Sequence, residues 1–351
     1  MELPPWEVLL TLLLLQTGLI LLLFLVVRQV LAWKGRKHFP PLTCGSVLLT
    51  GTSSGIGRTA AVYLAQRGFT VLAGVRKESD AQALREIGVP GIHPVILDVA
   101  KLDSVQACHA HVLSLLSTKT IPPLMAVINN AGLLQDATVE FHDMDMMRHM
   151  FDVNYFGLVT VSSVFLPLLR GASSSSSSTS ASFPKGRLIN IGSVAGKVSF
   201  PRYGAYAASK HAVEAITDTL RAELTPAGVS VSLIQPGFCR TELFVRGVAQ
   251  PELQQQQQQS HVKNDTSVSP AAKKAYPFFY TQKFEKKNAG PMENGSDPVV
   301  VCQAMHHALT SAYPKTRYPV AKINRAKVAL VFLVRQLLPD RVFDKSFLLN
   351  V

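Results

Sequence analysis

Six short, almost wholly apolar runs, at residues 46–50, 69–74, 95–97, 124–128, 187–191 and 229–234, set the strongest constraint on how this 351-residue chain folds. Runs that lack the apolar–polar alternation of a half-exposed strand must be covered on both faces. Stretches with apolar residues at helical spacing, at 58–68, 104–116, 144–169 and 206–224, lie between them and supply that cover. The first strand, helix and second strand fall within about thirty residues, the length of one right-handed βαβ unit. The pattern predicts an α/β fold: a doubly wound parallel sheet in a single domain over 46–245. Hydrophobic residues make up 47% and charged residues 17%, enough apolar content for such a core and too little charge for a disordered chain.

A second constraint precedes the sheet. Residues 8–27 carry no charge and are dominated by leucine. At about 1.5 Å per residue such a helix covers roughly 30 Å, the thickness of a bilayer's hydrocarbon core. A cleaved signal peptide would begin with basic residues, whereas only Glu2 and Glu7 stand ahead of the run, and no small-residue cleavage site precedes Arg28. Segment 8–31 is therefore expected to be a retained, single-pass transmembrane anchor, and 32–45 a basic, proline-containing linker. Arg28, Lys34, Arg36 and Lys37 follow the run, with Trp33 at interfacial depth. This positive flank predicts a domain facing the cytoplasm.

Lys and Arg number 35 against 23 acidic residues, a net charge of +12. The positive residues are dispersed and no nucleic-acid reading motif accompanies them, so no nucleic-acid partner is expected. They gather near the anchor and after Lys315, which suits anionic lipid headgroups as well as plain solubility. Cys44, Cys108, Cys239 and Cys302 lie too far apart in sequence for redox or metal-ligand pairs, and the adjacent His306 and His307 diverge on a helix, so no metal site is expected. Residues 173–182 are almost all serine, and a glutamine run at 254–259 lies within a polar region, 250–294. Both read as flexible loops. The second follows the sixth strand, at the end of the sheet where open α/β folds bind ligands, so 246–295 fits a mobile polar lid or a functionless insertion equally. Residues 296–351 then form a C-terminal helical region completing the site. Within it, the apolar run 326–338 with Lys327 and Arg335 suits either a membrane interface or packing on the sheet.

The turn after the first strand reads Thr50-Gly51-Thr52-Ser53-Ser54-Gly55-Ile56-Gly57. Glycines there permit a tight turn and let backbone amides at a helix N-terminus approach a pyrophosphate. The TGxxxGxG spacing resembles that of the short-chain dehydrogenase/reductase family. Further motifs of that family follow in order: Asn129-Asn130-Ala131-Gly132 after the fourth strand, Asn154 within Val153-Asn154-Tyr155-Phe156-Gly157, Ser193 after Ile191-Gly192, and Tyr206-Ala207-Ala208-Ser209-Lys210. Pro236-Gly237 with Thr241 resembles the segment that meets the nicotinamide carboxamide. The resemblance spans 46–241 and continues less distinctly to Arg317 and Tyr318. It implies a Rossmann-type catalytic domain and a nicotinamide cofactor held by Gly51, Ser53, Ser54, Gly55, Ile56, Gly57, Asp98, Val99, Asn130, Ala131, Gly132, Tyr206, Lys210, Pro236, Gly237 and Thr241.

The residue chemistry agrees. Tyr206 and Lys210 are four apart and share a helix face. A nearby ammonium is expected to lower the phenol's proton affinity toward neutral pH, so that Tyr206 exchanges a proton with the substrate oxygen while Ser193 hydrogen-bonds that oxygen. By resemblance Lys210 holds the nicotinamide ribose and Asn154 anchors a proton-relay water. Tyr203 has no lysine four residues later and is expected to line the substrate pocket. After the second strand, where an acidic residue would grip the ribose 2′-hydroxyl, stands Arg76, suited to a 2′-phosphate. NADP(H) is thus favoured, with NAD(H) still open.

The segments 203–221 and 235–241 look like the retinol and hydroxysteroid dehydrogenase branch, which implies a lipophilic alcohol or carbonyl substrate (a retinoid, steroid or long-chain lipid), an endoplasmic-reticulum membrane, and leaves a homodimer open. The competing reading is a catalytically silent, membrane-bound NADP-binding scaffold, against which the intact Ser193, Tyr206 and Lys210 argue. A lyase or epimerase of the wider superfamily would carry a different glycine spacing.

Overall fold

The computed structural model describes residues 4–35, 37–171, 185–241, 270–281, 295–323 and 326–349. The serine tract, the glutamine run and most of the expected lid lie outside the described residues. Two compact units divide the chain, residues 1–39 and 40–351.

The first unit is one helix, α1 (Pro5–Lys34). Its stretch Leu9–Leu31, with a mean hydropathy of 2.7, is long and apolar enough to cross a membrane and has none of its surface covered by protein. Leucines occupy every side of it, so no face is reserved for a protein core. The hydroxyls of Thr11 and Thr17 are satisfied within the helix, donating to the carbonyls of Glu7 and Leu13, one turn back.

In the second unit, seven parallel strands run in the order β3-β2-β1-β4-β5-β6-β7. They are β1 (Gly45–Leu49), β2 (Phe69–Val75), β3 (Ile92–Ile96), β4 (Leu124–Asn129), β5 (Arg187–Ile191), β6 (Ser230–Pro236) and β7 (Arg317–Val320). Between them lie α2 (Gly55–Ala65), α3 (Glu78–Arg85), α4 (Leu102–Ser117), α5 (Met144–Phe151), α6 (Leu158–Leu169), α7 (Gly204–Leu224), the short α8 (Pro270–Ala275) and α9 (Val299–Thr310). The tail adds a two-stranded hairpin, β8 (Lys322–Ile323) and β9 (Ala326–Lys327), then α10 (Val328–Leu337) and α11 (Asp340–Phe343). Strands β1, β4, β5 and β6 are buried at every residue, which is why they read as mostly apolar runs. Successive side chains face opposite ways. Val47 and Leu49 pack with Ala60, Leu64, Val301 and Met305 under α2 and α9. Leu48 packs with Val105, Val161 and Phe165 under α4 and α6 on the other face.

The sheet has one strand more than the six apolar runs, because β7 is only partly buried and carries Arg317 and Pro319. The expected helix over 144–169 is a continuous helical stretch interrupted by a π-helical turn, Asp152–Gly157. Gly157 ends that turn because a Cβ there would lie 2.9 Å from the Val99 carbonyl. The C-terminal run resolves to α10, whose Val328 and Val331 pack with Val194, Val198, Ile323 and Phe343, and which also contacts the edge strand β7. Cys44 is exposed and Cys108, Cys239 and Cys302 are buried, all as free thiols. His307 bonds the Tyr318 hydroxyl, while His306 is half-buried edge-on to Tyr63 and Phe69.

At the start of β5 the buried Arg187 donates to three backbone carbonyls, of Pro40 (2.8 Å), Ser311 (3.0 Å) and Ala308 (3.2 Å). Burial pushes its pKa down to about 10. It joins the beginning of this unit to the end of α9, and no uncharged side chain of that reach can supply three such donors. Arg187→Leu is expected to cost on the order of 3 kcal/mol of stability, read as a lowered thermal midpoint of the detergent-solubilised chain.

Candidate active site

The strand order reverses between β1 and β4, and the crevice at their carboxyl ends is where such sheets bind ligands. The glycine turn fills it from one side. Gly51 has φ +71° and lies so close to β4's extension that a Cβ would sit 2.7 Å from the Ala131 Cα. At Gly57 a Cβ would lie 2.0 Å from the Gly51 carbonyl. Ser54, the residue before α2, makes no side-chain cap, so the first amides of that helix are left for an anion. Ser53, Ser54, Gly55 and Ile56 are all partly exposed around this cradle. Thr241 lies over the turn, its Cβ 3.2 Å from where a Gly55 Cβ would be. The cradle is what a dinucleotide pyrophosphate needs, and these residues fit one.

Two side chains outside the expected set hold the turn. The Thr50 hydroxyl accepts from the amides of Asn130 (3.0 Å) and Ala131 (2.9 Å), while the Asn130 carboxamide donates to the carbonyls of Thr50 and Gly51. The Thr52 hydroxyl donates to Gly74 at the end of β2. Asp98 accepts from the Ala100 amide and its own amide donates to Ser104; Val99 is buried beside Gly157. Arg76, one residue past β2, is exposed and makes no ion pair among the described residues. Pro236 ends β6, and the amide of Gly237 donates to Val320; a Cβ at Gly237 would lie 2.5 Å from the Lys322 carbonyl, so this glycine serves close packing at the tail.

Asn154, Ser193, Tyr206 and Lys210 converge next to this crevice. The Tyr206 hydroxyl is hydrogen-bonded to Ser193, whose Oγ also accepts from the Ala195 amide. Lys210 Nζ donates to the Ile191 carbonyl at 2.9 Å and lies 5.7 Å from the Tyr206 ring centroid. Asn154, presented by the π-helical turn, accepts from the Leu133 amide (2.7 Å) and donates to the Leu133 carbonyl and Ser209 Oγ (2.9 Å each). Gly132 leaves the room between them: a Cβ there would come 3.4 Å from Asn154 Oδ1 and 3.7 Å from Lys210 Nζ. Beneath, Asn129 donates to Ser162 and Asn190, and Asn190 to Thr217, a buried polar chain across β4, β5, α6 and α7. Thr50 and Asn129 sit inside the quoted motifs; Ser162, Asn190 and Thr217 carry no pattern that sequence reading could single out.

Next to Ser193, the buried Val194 and Val198 pack with Phe200, Phe238 and α10 in one apolar cluster. The chain before α7 is latched. Arg202, four residues before Tyr206 and held at φ +72°, makes a two-pronged ion pair with Asp136 (2.6 and 2.7 Å). Its remaining nitrogen donates to the Phe279 carbonyl, and its guanidinium lies over the Tyr280 ring. A left-handed backbone at a non-glycine costs about 1–3 kcal/mol and persists only where the surroundings impose it. Here the latch joins the residues preceding α7 to the short segment 270–281. Nothing in the sequence relates positions 66 residues apart. Tyr203, half-buried at the start of α7, has its phenol pushed well up by burial and by Asp136.

Burial dominates the electrostatics of the site. Burial pushes Tyr206 up to about 12, and the Ser193 hydrogen bond only partly opposes it. The Lys210 ammonium is directed at the Ile191 carbonyl, 5.7 Å from the Tyr206 ring centroid, and burial is the largest influence on the phenol. Tyr206 is therefore a neutral phenol in this site at neutral pH. Lys210 is itself pushed down to about 8 by burial. Its folded-state value lies below the unfolded one, so the cost of burying its charge is present below about pH 8 and relieved as pH rises toward 10.5. Over that window the chain is expected to gain stability relative to Lys210→Met. A plot of thermal midpoint against pH for the two proteins checks this; parallel curves would refute it.

The profile for short chain dehydrogenases matches residues 46–251. Among curated proteins, an uncharacterized oxidoreductase of Escherichia coli, YbbO, is 32% identical over 300 residues, covering 86% of this chain and 93% of that protein. Retinol dehydrogenase 16 of Rattus norvegicus is 32% identical over 82% of this chain and 83% of its own length, and 17-beta-hydroxysteroid dehydrogenase type 6 of Homo sapiens 30% identical over 78% and 79%. Among solved structures, a short chain dehydrogenase/reductase from Burkholderia phymatum in complex with NAD superposes with a TM-score of 0.63 at 22% identity, over 88% of this chain and 95% of that one. A short-chain dehydrogenase from Streptomyces avermitilis gives the same TM-score at 24% identity, covering 87% and 96%. With the fold, the glycine cradle and these matches in agreement, the chain is an oxidoreductase and belongs to the short-chain dehydrogenase/reductase family.

Proposed function

We propose that this protein interconverts an alcohol and a carbonyl on a lipophilic substrate at the expense of NADP(H), with Tyr206 as proton donor and acceptor. The observation that carries this reading is the Tyr206–Ser193 hydrogen bond, set beside the glycine cradle and next to an apolar cluster. The cofactor, when bound, supplies or accepts the hydride. In reduction, the neutral Tyr206 phenol gives its proton to the substrate oxygen; in oxidation it first releases that proton through Lys210 toward solvent, and the resulting phenolate takes the alcohol proton. Ser193 Oγ donates to that same oxygen and steadies the charge developing there. Lys210, dry and with a pKa near 8, is suited to hold sugar hydroxyls and to re-protonate the tyrosine. Asn154 fixes the floor of the site through Leu133 and Ser209, and a relay water held beside it would connect Lys210 to solvent.

The substrate class rests on three supports: the apolar cluster next to Ser193, relatives named for retinol and hydroxysteroid, and an N-terminal helix able to cross a bilayer. We read that helix as the anchor of a domain facing the cytoplasm, from the Lys and Arg residues that follow it, in the endoplasmic reticulum. Arg76 supports NADP(H) over NAD(H), since it follows the end of β2, where a 2′-phosphate would fall, and pairs with no carboxylate among the described residues.

Tyr206→Phe is expected to lower turnover by about 10²–10⁴-fold with cofactor binding retained, followed by nicotinamide absorbance against retinoid, steroid and fatty alcohol or aldehyde panels. Full activity in that variant would remove Tyr206 from the chemistry, and binding without turnover on every panel would favour a silent cofactor-binding scaffold. Arg76→Ala is expected to weaken NADPH binding on the order of tenfold to a hundredfold, the worth of one or two charge-assisted hydrogen bonds, and to leave NADH binding unchanged. Equal effects on both cofactors would refute the assignment.

A further inference from the structure

Helix α10 is apolar on two opposite faces, and only the inner one is covered. Val328 and Val331 are buried against Val194, Val198 and Phe343, in the apolar cluster next to Ser193. On the outside Leu330, Leu333 and Leu337 are 53%, 47% and 71% exposed, at the i, i+3, i+7 spacing of a single stripe. Val342 on α11 is exposed as well. The hairpin before α10 carries a second anomaly. Lys322 of β8 lies directly opposite Lys327 of β9 on an antiparallel rung, both side chains are exposed, and neither makes an ion pair among the described residues. Like charges so placed repel, and an anion between them removes that cost. From 322 to 339 the sequence holds Lys322, Arg325, Lys327 and Arg335 and no acidic residue.

We propose that this surface docks on a lipid bilayer, with the Leu330–Leu333–Leu337 stripe in the acyl boundary and the Lys322/Lys327 pair against anionic headgroups. Charge complementarity selects the occupant: Arg335 is paired with Asp340, but the facing Lys322 and Lys327 beside the exposed aliphatic stripe make no ion pair among the described residues and match an anionic lipid surface. A second copy of this chain would bring the same lysines together. The consequence is directional. The helix whose inner face packs on Val194 and Val198, next to Ser193, meets lipid on its outer face, so a lipophilic substrate has a short route from bilayer to site beside α10. The proposal deepens the lipophilic-substrate reading and rests on it for its purpose, not for its geometry.

The test uses the full chain with Cys44→Ser, reconstituted into vesicles of phosphatidylcholine alone or with phosphatidylserine. A nitroxide placed through Leu333→Cys or Leu337→Cys reports depth by collision with oxygen against a water-soluble nickel chelate. Leu19→Cys reports the anchor, and Leu102→Cys, an exposed leucine on α4, reports a surface outside the proposed face. Labels at 333 and 337 are expected to be lipid-exposed and the label at 102 water-exposed. Lys322→Gln with Lys327→Gln is expected to lower the ratio of lipid-exposed to water-exposed label by about fivefold per lysine in phosphatidylserine vesicles only. Water-exposed labels at 333 and 337 beside a lipid-exposed label at 19 overturn the proposal while sparing the anchor. A water-exposed label at 19 overturns the anchor, and the labels at 333 and 337 then decide the docking surface on the same vesicles. Spin–spin broadening at 333 that disappears on dilution with unlabelled protein identifies a second copy as the occupant and also overturns it.

Discussion

The meeting of β1 and β4 at the reversal of strand order is the contact on which the site depends. Thr50 and Asn130 exchange hydrogen bonds across it through side chains and backbone, and Gly51 and Ala131 approach to a distance no Cβ would allow. This knot aims the glycine cradle and Gly132 into one crevice, so that the first amides of α2 face an anion. Gly132 in turn leaves the space in which Asn154 and Lys210 come together. A side chain at Gly51 would push β1 and β4 apart at this crossing.

The second requirement is dryness. Tyr206 and Lys210 are both shifted by burial in the direction that disfavours their charged forms, the phenol up and the ammonium down. A neutral phenol beside Ser193 and a lysine of lowered basicity are what the proposed proton transfer needs. The apolar cluster of Val194, Val198, Phe200 and Phe238 lies next to Ser193, and Arg202, paired with Asp136, fastens the backbone of Phe279. The strain at Arg202 is balanced by that pair, in a position where any movement is transmitted to the start of α7 and so to Tyr206.

Much of this was legible in the sequence, and the reason differs from element to element. Strands β1, β4, β5 and β6 are covered on both faces, so burial wrote itself into mostly apolar runs, interrupted where a buried polar group such as Arg187 or Asn190 finds hydrogen-bond partners. Strand β7 escaped because an edge strand is half-buried and tolerates Arg317 and Pro319. The family motifs placed Ser193, Tyr206 and Lys210 in register, since the geometry of a helical turn carries Tyr206 and Lys210 to the same face. The π-helical turn that presents Asn154 left no mark, because a single widened turn does not alter apolar spacing enough to be read.

Sequence by itself determined the parallel α/β architecture, the long apolar N-terminal helix and the set of residues that converge, because hydrophobic period and glycine spacing are local properties of the chain. Only tertiary structure decided the charge state of the site, the Asp136–Arg202 latch, the buried chain from Asn129 to Thr217 and the two-faced exposure of α10. Each of these follows from which distant segments displace water from a given group. Desolvation and long-range pairing are sums over the folded surroundings and have no counterpart in the order of residues along the chain.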